Sequence, residues 1–344
     1  MIKTTEIDEN LLLAKFYEKD YKFSYSSISK LITAPAIFYR EYVLGQKEDE
    51  VKKYLLDGIV IHYLVLENEG FDDKFLVASD NLPSEANMKV ADAVFQRYKL
   101  MEDDTLELGD FGPEILETMK EINHYQGLKD TKDGTGDNKR LAKIIESKTE
   151  EYFEFLKKKQ GRTIIDSATL DKCTRRAEIV KKNPQMRELL GLDLVDDGKT
   201  YGIYNELELD MEVEGLPFGF KGILDNLVID VANKTVRIND FKTTSKSLTD
   251  FKDTVEIWNY WLQICMYEKL VKNFLKDVLK PDWALEYRFI VFDRYDQLYA
   301  FPVTEETMAG WRGRFINTLA EARYHYESKD YSLPYKFIKG DVKL

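Results

Sequence analysis

Cysteine is nearly absent: a chain of 344 residues has two, Cys173 and Cys265. Two thiols cannot build a disulfide framework or hold a four-cysteine cluster, so both are expected as ordinary reduced side chains. Positive charge is also in short supply, with 50 Lys and Arg against 62 Asp and Glu and a formal net charge of −12. That balance argues against nonspecific attraction to nucleic acid, although a partner responds to the local field of a groove and not to the sum. No stretch approaches the roughly 18 consecutive apolar residues of a membrane span. The opening "MIKTTEIDENLLLAKFYEKD" is too charged for a signal peptide, and a cytoplasmic setting is the expectation. No internal repeat is visible.

What is present describes a globular protein, with 44% hydrophobic residues, 33% charged residues and a mean hydropathy of −0.43. The length suits one large domain or two of ordinary size. Tyrosine and phenylalanine number 21 and 19, a usage that fits a large core and base stacking equally.

The first 70 residues read as helical. In "SYSSISKLITAPAIFYREYVLG", Ser26 or Ser27 is the expected N-cap, and Pro35 opens a second helix that ends near Gly45. "EVKKYLLDGIVIHYLVLENEGFDDKF" reads as an amphipathic helix with Leu55, Leu56, Ile59, His62, Tyr63 and Leu66 near one face. Residues 85–160 read as a helical insertion, broken by the polar stretch "GLKDTKDGTGDNKR" as a mobile loop. A helix capped by Ser167 or Thr169 follows and stops near Asn183-Pro184. From Tyr201 the period changes to alternation. "NELELDMEV" sets Leu207, Leu209, Met211 and Val213 against Glu206, Glu208, Asp210 and Glu212. Three strands, a helix, a hairpin turning at Asp293 to Asp296 and a long closing helix make an α/β core with a helical N-terminal elaboration. The expected divisions are N-terminal helices over 1–84, the insertion over 85–160 and the core over 161–344.

The stretch that carries chemistry is "GFKGILDNLVIDVANKTVRINDFKTTSKS", Gly219 to Ser247. If its turn is Ala232-Asn233, or the four residues Val231 to Lys234, Asp225 lies opposite Asp240 on one face of the pair. Lys242, two residues on, shares that face. An odd-length turn would separate the two acids. Two ionised carboxylates at about 5 Å repel by roughly 3 kcal/mol at an effective dielectric of 20. Lys242 can neutralise one, and a hard divalent ion with oxygen ligands, Mg²⁺ first, suits both. Two carboxylates, an ion and a lysine fit phosphodiester hydrolysis. A solvated surface hairpin would present the same residues, and D-x-K alone is a weak signal.

Several spaced elements together resemble a known family. G-x-x-D at Gly222 to Asp225, D-F-K at Asp240 to Lys242 and Q-x-x-x-Y at Gln263 to Tyr267 resemble the PD-(D/E)XK nucleases of the RecB-like branch. The similarity is greatest to the exonuclease VIII (RecE) nuclease domain and its phage homologues. "LLDGIVIHYLVLE" is similar to that branch's G-x-x-x-H helix. The resemblance implies a restriction-endonuclease-like mixed sheet flanked by helices. It implies that His62, Asp225, Asp240 and the Phe241 carbonyl hold Mg²⁺, with Mn²⁺ able to replace it. Lys242 would act on the attacking water, and Glu206, or Glu208 in its place, would support the metal. Gln263 and Tyr267, four apart on a helix, would contact substrate phosphate or orient the ligands. Thr243 and Thr244 are further candidates for phosphate contact.

One departure matters. Where several RecB-like nucleases place a cluster-binding cysteine before the proline, this chain has Ala34, so no iron–sulfur cluster is expected. The implied activity is a DNA exonuclease that attacks duplex ends, 5′ to 3′, and exposes single strands for recombination. The implied partners are double-stranded DNA ends and a RecT-like annealing protein, with the enzyme a homo-oligomeric ring in a bacterial cell or a phage-infected host. No membrane is implied. A single-strand, flap or internally cutting nuclease and a catalytically silent DNA-binding protein are the competing readings.

Overall fold

The computed structural model describes residues 14–342, apart from 15, 18, 19, 47–52, 68, 69, 79–81, 102, 133, 146, 147 and 160, and apart from the side chains of 53–55. The first 13 residues of the charged opening, and the Leu55 side chain, therefore lie outside the described residues. The chain forms two compact units, residues 1–66 with 176–344, and residues 67–175.

The first unit is built on a mixed sheet. Its strands are β1 (Lys22–Phe23), β2 (Tyr201–Met211), β3 (Gly219–Asp230), β4 (Thr235–Thr243), β5 (Ala284–Phe292) and β6 (Leu298–Val303). β3 pairs antiparallel with β2 and β4, β4 pairs parallel with β5, and β5 pairs antiparallel with β6. Short β1 runs parallel to the start of β3. Parallel neighbours need a crossover, and helices α5 (Phe251–Ile257) and α6 (Tyr260–Phe274) lie between β4 and β5 in sequence. Central β3 is buried on both faces over its second half, as Leu224, Leu227 and Val228 show. A neighbour on each side and helices on both faces demand that apolar run.

Sequence signals and packing agree in part. The N-cap of α1 (Tyr25–Thr33) is Ser24, upstream of the two serines expected, because Ser24 and Ser27 cap each other reciprocally. Pro35 does open α2 (Pro35–Phe38), at the position where a missing N–H costs nothing. Helix α3 (Lys53–Leu66) buries Val60, Ile61, His62 and Val65, whereas Ile59 is exposed. The expected face is rotated because α3 packs on β4 at Gly58, where an added Cβ would meet Thr243 Oγ1 at 3.3 Å. Helix α4 (Pro184–Leu190) lies on β3 and β4, and α6 lies on β2 and β3. The closing helix α7 (Glu305–Ser328) packs on α6.

The second unit has its own core of Val90, Val94, Leu108, Phe111, Ile115, Met119, Ile144 and Phe153. The strands Phe75–Val77 and Thr163–Ile165 pair in parallel within it. In the stretch expected as a mobile loop, Arg140 donates to the carbonyls of Gln126 and Leu128 and also to that of Tyr125. The helix Ser167–Lys182 is capped by Asp166, whose carboxylate accepts from Thr169 N at 2.6 Å, one residue before the expected Ser167. Among the described residues, no helix is long and apolar enough to cross a membrane.

Candidate active site

The turn joining β3 to β4 is the four-residue Val231 to Lys234, with Lys234 in the left-handed region at φ 52°. The resulting register runs from Asp230↔Thr235 to Asn226↔Asn239 and stops there. The next positions are Asp225 and Asp240, level with each other, and there the backbone ladder gives way to a side chain. Asp225 Oδ2 accepts the Phe241 N–H at 2.7 Å. The β2–β3 ladder is interrupted at the same level, between Asn205↔Asn226 and Leu207↔Leu224. The skipped residue, Glu206, has φ 47°. A non-glycine residue in that region costs about 1–3 kcal/mol and persists where its surroundings hold it.

What holds Glu206 is His62. Glu206 Oε1 lies 2.7 Å from His62 Nδ1, and His62 Nε2 lies 3.3 Å from the Asp225 carbonyl oxygen. Burial alone would push the imidazole pKa down. The Glu206 hydrogen bond and the charges of Asp225 and Glu206 more than reverse that, so it is raised. One ligand atom each from His62, Glu206 and Asp225 gathers within 4.8 Å of the others. One nitrogen and two carboxylate oxygens in that space are a donor set that a divalent cation accepts. Glu206, not Glu208, is the acid in this group.

Asp240 stands outside that trio and is fully buried. Its Oδ2 is ion-paired with Lys242 Nζ, and its Oδ1 accepts from Gln263 Nε2 at 2.9 Å. Burial raises the Asp240 carboxyl and Asp225 adds to the rise, with Lys242 opposing. Burial pulls the Lys242 amine down, but the charges of Asp240 and Asp225 overcome it and hold the amine above its ordinary value. The two acids thus favour the protonated form of Lys242. Its Nζ also lies 5.0 Å from the centroid of the Tyr260 ring.

Gln263 and Tyr267 are buried. Gln263 Nε2 donates to Asp240 and to Tyr267 Oη (2.8 Å), and the Tyr267 hydroxyl donates to the Ile223 carbonyl at 2.6 Å. Of the two roles expected for them, this geometry fits orienting an acid. Gly222 makes room, since a Cβ there would lie 3.1 Å from the Tyr267 ring. Thr243 sits against Gly58, and Thr244 N donates to the Phe292 carbonyl, so both tie the end of β4 to its neighbours. The Phe241 ring faces the His62 ring edge-on at 6.0 Å. Sequence reasoning missed Tyr260 beside Lys242 and three asparagines, each adjoining an acid: Asn205-Glu206, Asp225-Asn226 and Asn239-Asp240.

A helix-flanked mixed sheet whose strands part around acids and a D-x-K lysine is the architecture of PD-(D/E)XK proteins. The family model of the PD-(D/E)XK nuclease superfamily matches residues 22–330, and the chain belongs to that superfamily. Its nucleases use divalent metals. A crystal structure of a candidate exonuclease from Eubacterium rectale is similar at a TM-score of 0.43 and 12% identity, over 93% of this chain and 88% of that one. No curated protein sequence matches.

Proposed function

We propose that this protein is a Mg²⁺-dependent DNA exonuclease that hydrolyses phosphodiester bonds from duplex ends, 5′ to 3′, leaving single strands for recombination. The observation that carries the reading is the buried Lys242–Asp240 pair, level with the trio of His62, Glu206 and Asp225. Those three residues would hold the ion, and Mn²⁺ would replace Mg²⁺ there. When bound, the ion supplies Lewis acidity toward a phosphoryl oxygen. The chain's own residues do the rest. His62 fixes the Glu206 carboxylate through Nδ1, and the Phe241 N–H fixes that of Asp225. Lys242, held protonated by Asp240, orients the attacking water by donating to it and offsets the negative charge that develops on the phosphoryl group. Paired with Asp240, Lys242 acts in this reading as an electrostatic and orienting group. Asp240 is held by Gln263, so the amine keeps one position.

Resemblance to RecE-like nucleases extends the proposal to a homo-oligomeric ring, a RecT-like annealing partner and a cytoplasmic setting. The test is linear duplex DNA labelled at either the 5′ or the 3′ end, with and without Mg²⁺, beside the Asp225→Ala variant. Mg²⁺-dependent loss of the 5′ label as mononucleotide, absent in the variant, with closed circles surviving, supports the reading. Cleavage of circles moves it to an endonuclease, and no cleavage of duplex, single strand or circle moves it to a binding protein.

A further inference from the structure

Behind the acids, on the opposite face of the sheet, runs a chain of three asparagine side chains. Adjacent residues of a strand point to opposite faces, so Asn226 and Asn239 point away from the face of Asp225 and Asp240. Asn239 Nδ2 donates to Asn226 Oδ1 at 2.8 Å, and Asn226 Nδ2 donates to Asn205 Oδ1 at 2.8 Å. Asn205 Nδ2 donates in turn to the Leu66 carbonyl at 3.0 Å, at the end of the helix that carries His62. The second amide hydrogens of Asn239 and Asn226 go to α4: Asn239 to the Leu189 carbonyl at 2.9 Å and Asn226 to the Leu190 carbonyl at 3.2 Å. Arg237 Nη1 takes the Glu188 carbonyl at 2.8 Å. The last carbonyls of a helix have no intrahelical donor, and here the sheet supplies three in succession.

We propose that Asn205, Asn226 and Asn239 are positioning residues that set the spacing of Glu206, Asp225 and Asp240, and hence the affinity of the site for its divalent ion. The proposal rests on the reading of His62, Glu206 and Asp225 as a metal site. Two features point to it. Both backbone ladders lapse at the level of the acids, between Asn205↔Asn226 and Leu207↔Leu224 on one side and beyond Asn226↔Asn239 on the other. Strands freed of those bonds can splay, and the asparagine chain binds all three strands one residue away. Its far end also fixes the carbonyl end of α3, four residues beyond His62, so every group of the trio is referred to one hydrogen-bonded line. Asn226 and Asn239 are buried; both polar atoms of Asn226 and the Asn239 amide nitrogen are paired, while Asn239 Oδ1 has no partner among the described residues, so the chain is held by its donors.

The test is Mn²⁺ titration of the full chain by calorimetry and by the loss of the free-ion electron paramagnetic resonance signal. It compares wild type, Asn226→Ala, Asn239→Ala and a core control, Phe315→Leu, with stability measured on each. Partners that orient metal ligands typically contribute 10–100-fold to affinity. Asn226→Ala is expected to bind Mn²⁺ at least tenfold more weakly while remaining folded, and Asn239→Ala to fall in the same direction. Phe315→Leu, destabilised through the core alone, is expected to bind as wild type does. Asparagine variants that bind Mn²⁺ within twofold of wild type, or no more weakly than a control of equal stability, overturn the proposal. Should Asn226→Ala fail to fold, Asn239→Ala decides on the same criteria. Wild type that binds no Mn²⁺ overturns the metal-site reading itself, a result distinct from variants that bind normally.

Discussion

Gln263 reaches across from helix α6 to donate its Nε2 to Asp240 Oδ1 at 2.9 Å, and the same nitrogen lies 2.8 Å from the Tyr267 hydroxyl. A four-residue spacing puts both side chains on one helical face, and that face meets the sheet where Gly222 leaves space for the tyrosine ring. Gln263→Leu removes the donor and leaves a buried carboxylate oxygen short of a partner. The expected cost is about 1–3 kcal/mol of stability and a ~10–100-fold loss of turnover. Tyr267→Phe keeps the Asp240 bond and is expected to cost less on both counts. Single-turnover rates beside urea unfolding separate the two; equal losses of turnover would mean that Gln263 does not act through Asp240.

Glu206 and Glu208 were equivalent by alternation, and only backbone geometry distinguishes them. Glu206 has φ 47° and Glu208 sits in regular pairing opposite Ile223. Glycine relieves a left-handed residue but weakens an ordinary strand by roughly 0.5–1 kcal/mol. Glu206→Gly is therefore expected to be as stable as wild type to within about 1 kcal/mol, since relief offsets the lost His62 contact. It should nonetheless bind Mn²⁺ far more weakly. Glu208→Gly is expected to lose about 1 kcal/mol and keep its Mn²⁺ affinity. Urea midpoints and calorimetry on the pair decide the matter, and the reverse pattern would assign the role to Glu208.

These two glutamates mark where sequence patterning stops. Alternation made the pairing of Asp225 with Asp240 conditional on an even turn, and the structure supplies one of four residues. His62 was different. Nothing local ties a helix near residue 60 to a strand near residue 206, and only the resemblance to a nuclease family placed it at the acids. The exposed side of α3 was misread because Gly58, not the hydrophobic period, sets how that helix meets β4. The asparagine chain was invisible for a related reason. An Asn beside an acid in a strand reads as one more polar residue until α4 is known to present its carbonyls there. Likewise, the pairing of Phe75–Val77 with Thr163–Ile165 joins short strands far apart in sequence, and no local period announces it.

Acid sensitivity is expected to come in part from Glu268, away from His62, Glu206 and Asp225. This buried carboxylate accepts from Arg312 at 2.8 and 3.0 Å and from Lys272 at 2.6 Å. Burial alone would raise its pKa, but Arg312 and Lys272 outweigh burial and hold it below 4.5. A carboxylate depressed in the folded state stabilises the fold above its unfolded pKa, and that contribution disappears as pH falls through the folded value. Glu268→Gln should then cost about 3 kcal/mol at pH 7, the low end for a broken buried pair because Arg312 is one-third exposed and keeps Glu305. It should also flatten the loss of stability between pH 5 and 3. Urea unfolding across that range checks both, and parallel wild-type and variant curves would exclude Glu268 as the source.

Lys242→Met tests the central pair. Removing a cation aimed at a developing charge is expected to lower turnover by about 10²–10³-fold, while Mn²⁺ still binds, because Lys242 is not among the trio. Stability should carry a second signature. The Asp240 carboxyl is already raised by burial, with Lys242 opposing the rise, so deleting the lysine raises it further. A carboxyl whose folded pKa lies above its unfolded pKa costs stability increasingly as pH climbs between the two. The variant is therefore expected to be close to wild type near pH 5 and progressively weaker toward pH 8. Rising pH thus weakens this variant, whereas falling pH weakens the wild type through Glu268. Metal-free urea unfolding at both pH values, paired with single-turnover cleavage, reads the two predictions independently. A Lys242→Met protein unfolded at pH 5 would make the lysine a structural residue, and one stable at both pH values but inactive would place Asp240 in contact with solvent or another cation.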